Sequence, residues 1–198
     1  MTEKTEIDTP DSSRALGEVG RQLIHIISGL ILIAILISFG RGILVSLLFG
    51  LLISLSMIIN LRIFRESIFI VDYLEEKFER KNAPFAWWGP SFYALGALFI
   101  AIFLNDPRKI VAGIFILAVG DGFSTLIGIR GTHKLPFNDK KSIEGTLAFF
   151  VSCLPLYVLI GDKIFIIAAV AALTEAYAIG VEDNLAIPLI TTVMLSIL

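Results

Sequence analysis

Charge is the first thing this sequence lacks. Only 17% of its 198 residues are charged, where soluble domains usually carry about 25%. Hydrophobic residues make up 56%, and the mean hydropathy is +0.86. That balance excludes disorder, a collagen-like fibre and an ordinary water-soluble domain. Neither sign dominates: the net charge is −2, so the strong basic balance of a nucleic-acid binder is missing. Cysteine is nearly absent. Cys153 stands alone, which excludes an intramolecular disulfide and a cysteine-based zinc site and leaves a small core residue. The opening stretch lacks the basic n-region of a signal peptide, so residues 1–20 read as a retained polar tail.

Apolar runs fill the rest. Seven can be marked, at about 22–39, 43–60, 89–104, 109–129, 143–160, 164–181 and 185–198. Five have the length of a spanning helix, and the third and seventh are short. Sustained period-2 alternation is missing, which disfavours a β-barrel. The expected fold is therefore all-α: a polytopic transmembrane bundle of about seven spans, with residues 21–198 as one transmembrane domain. Residues 61–83 mix both charge signs with apolar residues at three- and four-residue steps, as on an amphipathic connector helix at the membrane surface. Trp87 and Trp88, just before a span, suit interface anchors.

Lysine and arginine set the orientation. With the N-terminus inside, twelve of the 16 basic residues fall inside; Arg41, Arg108, Lys109 and Lys163 fall outside. The expectation is a cell-membrane protein with a cytoplasmic N-terminus and a site facing the cytoplasm.

Ionisable groups at membrane depth are costly and informative. Asp121 interrupts an apolar run, flanked by Gly120 and Gly122, with Ser124 and Thr125 on its helix face and Gly128 beyond. Such glycines allow close approach of backbone to backbone or of backbone to phosphate; a Gly-rich helix contact is the alternative. A basic loop follows, with Lys134, Lys140 and Lys141 able to neutralise phosphates. Ser142 can cap the next helix and Glu144 lies in its first turn. A plain positive-inside anchor explains the same residues. Glu175 and Glu182 are seven apart, hence expected on one helix face, with Asp183 and Asn184 adding oxygen ligands at its end. Their sequence neighbourhood holds no lysine or arginine. Hard oxygen donors of this kind suit Mg²⁺; a solvated acidic turn is the other reading. Glu18, Arg21 and His25 share one face of the first span, where a lone histidine is commonly structural. The assumed topology brings all these segments to the cytoplasmic side, where a nucleotide and a metal are the economical occupants.

At these residues the chain resembles the integral-membrane polyprenol and lipid kinases: dolichol kinase, phytol kinase and CTP-dependent diacylglycerol kinase. The resemblance rests on Gly120-Asp121 with Gly128, on Lys141-Ser142-Ile143-Glu144-Gly145-Thr146, and on Glu175 with Asp183-Asn184-Leu185 and Pro188. The first-span pattern of Glu18, Arg21, His25 and Gly29 adds to it. It implies transfer of the γ-phosphate of CTP to the hydroxyl of a lipid alcohol such as dolichol, another polyprenol or geranylgeraniol. Asp121 and Asp183, with Glu175, would hold Mg²⁺. Lys134, Lys140 and Lys141 would hold the triphosphate, with Ser142, Gly120, Gly122 and Asn184 in the nucleotide site. Glu144 would orient the alcohol proton or join the metal shell. The chain has no Walker-type P-loop and no kinase catalytic loop. A CDP-lipid-forming cytidylyltransferase and a small ion-coupled transporter are the competing readings.

Overall fold

The structure, a computed structural model, describes residues 12–64, 73, 87–177 and 181–198. Most of the expected connector at 61–83 lies outside them. Helix α1 (Ser12–Ile63) starts within the stretch read as a polar tail and is broken at Gly40, where φ is 81°. That conformation suits only glycine. Its apolar part, Gly17–Leu61, has 45 residues, about 68 Å of helix, or twice the ~30 Å hydrocarbon core. The break at Gly40 thus separates the first two apolar runs.

Next come α2 (Trp88–Phe103) and α3 (Pro107–Phe115), then a π turn (Ile116–Gly120) leading directly into α4 (Asp121–Gly128). Asp106 caps α3, accepting from the Arg108 amide at 2.9 Å, and Pro107 suits the first helical turn. A hairpin follows, β1 (Lys134–Leu135) and β2 (Asn138–Ser142), antiparallel with Lys134 opposite Ser142. Then come α5 (Ile143–Cys153), a 3₁₀ turn (Leu154–Leu156), the single turn α6 (Tyr157–Ile160), α7 (Lys163–Tyr177) and α8 (Asp183–Ile197).

The fold is mostly helical, and the hairpin corrects the all-α expectation. The 130–142 segment is too polar to be a span, but Pro136 supplies turn chemistry between its strands. Three helical stretches among the described residues are long and apolar enough to cross a membrane: Gly17–Leu61, Pro107–Gly128 and Ile143–Ile160. Trp88–Phe103 and Asp183–Ile197 are shorter apolar helices.

The core is built round the α3–π–α4 rod. Ile110, Ile114, Ile116 and Leu117 are fully buried, with α1, α2, α5 and α8 packed about that rod. Cys153 is buried here too, as expected of a core residue. Outward faces stay apolar, as at Ile37, Phe39 and Ile53 of α1. So much exposed hydrocarbon is foreign to a monomeric soluble protein. At one end of the bundle Arg41 donates to the carbonyls of Ala101 (2.7 Å) and Ile102 (2.6 Å) and to Asn105 Oδ1 (2.9 Å). It thereby satisfies the orphan carbonyls at the α2 C-terminus. The acidic and basic motifs gather elsewhere.

Candidate active site

Three carboxylates from three helices meet. Asp121 opens α4, Glu175 lies in the last turn of α7 and Asp183 opens α8. One oxygen from each lies within 4.8 Å of the others. Asp121 and Glu175 are buried, Glu175 to 1% exposure. Lys141 of β2 enters between the acids, donating to Asp183 Oδ2 at 2.7 Å and contacting Glu175 Oε1. Ser124 Oγ also donates to Glu175 Oε1, at 2.8 Å. Burial alone would lower the Lys141 pKa, but Asp183 and Glu175 outweigh it and hold the ammonium above the usual lysine range.

The missing cation of the acidic stretch is therefore supplied through space, from 34 residues upstream. The one-face expectation for Glu175 and Glu182 is corrected as well. Helix α7 ends at Tyr177, and Glu182 has extended backbone as the N-cap of α8. Asp183 therefore begins a new helix rather than ending the old one.

A cavity of about 540 Å³ opens over Glu175 and Asp183. Its wall includes Lys134, Lys140, Lys141, Ser142 and Gly145, with Glu18 and Glu182 also lining it. Asp121 lies behind that wall. The hairpin is fixed there by Asn138, whose Nδ2 donates to the Ala176 carbonyl at 3.0 Å, and by Phe137 packed on Tyr177. Ser142 caps α5 as expected, accepting from the Gly145 amide at 3.1 Å. Gly145 lets α5 approach α4 closely: a Cβ there would fall 2.8 Å from the Ser124 carbonyl oxygen.

Other expected site residues are placed differently. Glu144 turns away from the three acids. Its carboxylate accepts from the amides of Thr132 (3.0 Å) and His133 (3.1 Å) and pairs with His133 Nδ1 at 2.7 Å. It anchors the turn before the hairpin. Gly120 and Gly122 serve helix packing, because a Cβ would strike Phe149 and Ile26 respectively. The side-chain oxygen of Asn184 is buried without a hydrogen-bond partner. Arg21 pairs with Glu18.

His25 stands behind Asp121, its Nε2 3.6 Å from Asp121 Oδ2 and 3.0 Å from the Leu117 carbonyl. Leu117 belongs to the π turn, where the widened backbone leaves carbonyls outside the usual helical ladder. The Tyr93 ring packs on His25 at 4.3 Å. Ser124 and Asn138 are the contributors sequence reasoning undervalued. The i+3 spacing from Asp121 signals Ser124, and nothing local signals Asn138.

The donor set fits a hard divalent cation. All three groups are carboxylates, and Glu175 Oε2 is buried with no hydrogen-bond partner. Such an oxygen is costly unless a cation or donor meets it.

Over 182 residues the chain is 30% identical to the uncharacterized protein MJ1137 of Methanocaldococcus jannaschii, and the match takes in 90% of this chain and 93% of that one. The chain belongs to that protein's family. The chain is also similar, over a shorter stretch, to plant proteins. This chain is 31% identical over 124 residues to a probable chloroplastic phytol kinase of Triticum aestivum, and 28% identical over 124 residues to phytol kinase 1 of Arabidopsis thaliana. Each match covers 52% of this chain and 41% of the relative, so the chain spans less than half the length of those curated relatives. No protein-family model matches the chain, and no solved structure does.

Proposed function

We propose that this protein is a membrane kinase that transfers the γ-phosphate of a nucleoside triphosphate, CTP by preference, to the hydroxyl of an isoprenoid or related lipid alcohol. Dolichol, other polyprenols, geranylgeraniol and phytol share the required chemistry. The observation that carries the reading is an acidic trio on three helices, two of whose members, Glu175 and Asp183, line one cavity together with a basic hairpin. The similarity to proteins named phytol kinase supports it. In this reading the seven apolar runs form a seven-span bundle in the cell membrane, with a cytoplasmic N-terminus and the cavity open to the cytoplasm.

Phosphoryl transfer asks for positioning and charge neutralisation more than for covalent help. Asp121, Glu175 and Asp183 would hold Mg²⁺, which when bound neutralises phosphate charge. Lys134 and Lys140, exposed on the cavity wall, would receive the triphosphate as point charges. The positive end of α5 at Ser142 faces the same space. Glu144 acts indirectly, by holding the 132–133 turn that launches the hairpin.

The test is purified protein in lipid nanodiscs with γ-labelled CTP or ATP, Mg²⁺ and a panel of lipid alcohols. The expected product is labelled phospholipid, with the nucleoside diphosphate released. Asp121→Asn should abolish transfer while leaving the melting transition intact. Pyrophosphate release with a CDP-lipid product would overturn the kinase in favour of a cytidylyltransferase. Near-normal turnover by Asp121→Asn would sink the metal assignment.

A further inference from the structure

A second cavity, about 350 Å³ and almost wholly apolar in its lining, lies between α5 and α7. One wall is a stripe on α5, Ile143, Leu147 and Phe150, at steps of four and three that keep one helix face. The other is Ala169, Ala172 and Leu173 on α7. The short side chains of the alanines leave room for the groove. Thr146 also lines it, but its hydroxyl is spent on the Ser142 carbonyl at 3.2 Å, which leaves its methyl for the groove.

The groove ends at the acidic cavity. Ile143 lines the groove while its neighbour Ser142 lines the polar site. Leu135 and Lys134 divide in the same way on β1. On α7, Ala172 precedes Glu175 by three residues, about 4.5 Å of helix rise. An occupant of both cavities needs an apolar chain attached to a polar head, and the head would lie at the carboxylates.

We infer that the α5–α7 groove seats the hydrocarbon chain of the acceptor alcohol next to its hydroxyl, an inference that rests on the kinase reading above. From Ile143 to Phe150 the groove runs about 10 Å along α5, within a leaflet of roughly 15 Å. It reads only the first part of the chain, and the remainder lies in bulk lipid. Acceptance should therefore rise with chain length until the groove is filled and then level off.

The experiment uses the full-length protein in nanodiscs and a photoreactive isoprenoid alcohol carrying its diazirine near the hydroxyl. Labelling is mapped by mass spectrometry on the parent, on Ala169→Phe, which fills the groove, and on Leu147→Trp. Leu147 is 59% exposed, so that second variant narrows the groove from its rim without disturbing the core. Label on α5 and α7 that both variants lose, with KM for the alcohol raised roughly tenfold or more and KM for the nucleotide unchanged, supports the inference. Label elsewhere, or an unchanged alcohol KM in both variants, overturns it. Equal labelling by a photoreactive phospholipid without a free hydroxyl also overturns it, because the groove would then be a general lipid contact. Groove labelling by the alcohol in a protein that phosphorylates no alcohol supports the groove and overturns the kinase reading.

Discussion

Replacing Lys141 by methionine keeps the length of its apolar stem and removes the charge between Glu175 and Asp183. Glu175 is 1% exposed and Lys141 21%, so the pair is largely shielded from water. Breaking a buried pair from one side costs about 3–5 kcal/mol. Asp183, at 26% exposure, is partly screened, which argues for the lower end, about 3 kcal/mol. For a chain of this size that is a fall of roughly 6–12 °C in Tm. The same substitution frees two of the three carboxylates, Glu175 and Asp183, for a divalent cation. Mg²⁺ at about 100 times its Kd returns roughly 2.7 kcal/mol, nearly the whole loss. Thermal unfolding in nanodiscs, without nucleotide and with or without Mg²⁺, reads both effects. Lys141→Met should melt early in chelator and recover in Mg²⁺, while the parent responds weakly. Glu175→Gln added to Lys141→Met should restore much of the loss in chelator, because the unpaired charge is gone. The sign of the pH dependence also follows. The Lys141 pKa is raised in the folded state, so its stabilisation is fully present below the ordinary lysine value and lost only as pH rises beyond it. The deficit of Lys141→Met should therefore be flat from about pH 6 to 9. A Lys141→Met variant that melts with the parent and shows the same Mg²⁺ shift refutes the reasoning.

Glu144→Gln should loosen the turn that carries the hairpin. The expected result is a rise in nucleotide KM of roughly three- to tenfold with kcat little changed, and loss of kcat at unchanged KM would return Glu144 to the chemistry. Gly29→Ala should destabilise by about 1–3 kcal/mol, because its Cβ would fall 2.1 Å from Ala118 Cβ and 2.7 Å from the Tyr93 hydroxyl. Gly42→Ala, with open space around it, is the control, and equal melting of the two variants would contradict the close α1 contact.

The helices were legible because apolar runs are local signals. The run at 143–160 became α5 through α6, and the run at 89–104 became α2 within a residue. Asp121, Glu175 and Asp183 stood out because carboxylates inside or bordering such runs demand an explanation. The pairing of Lys141 with them was not, since a contact across 34 or 42 residues leaves no trace in spacing. The hairpin was hidden by its brevity: a two-residue strand against a five-residue one has no periodicity to read. The partners of Glu144 were not legible, for a physical reason. A carboxylate in a first helical turn suits the dipole, a metal or a preceding loop equally well, and only the positions of Thr132 and His133 decide among them.

The cavity owes its two-sided character to helix direction. The N-terminus of α5 and the last turn of α7 border the same space. The first presents the positive end of its dipole, which favours anions, and the second presents its negative end. Glu175 therefore sits where burial and dipole both oppose its charge, and where its second oxygen has no hydrogen-bond partner. A carboxylate in that position is stabilised by a nearby cation. Lys141 supplies it from a strand whose neighbours line the anion-favouring side. On the proposed kinase reading, a metal ion entering the acids would relieve Lys141 of that duty and leave its flexible four-carbon stem free to carry the ammonium toward the phosphates. A guanidinium, planar and committed to a fork geometry, is less suited to such a transfer, which gives a physical reason for lysine at this position.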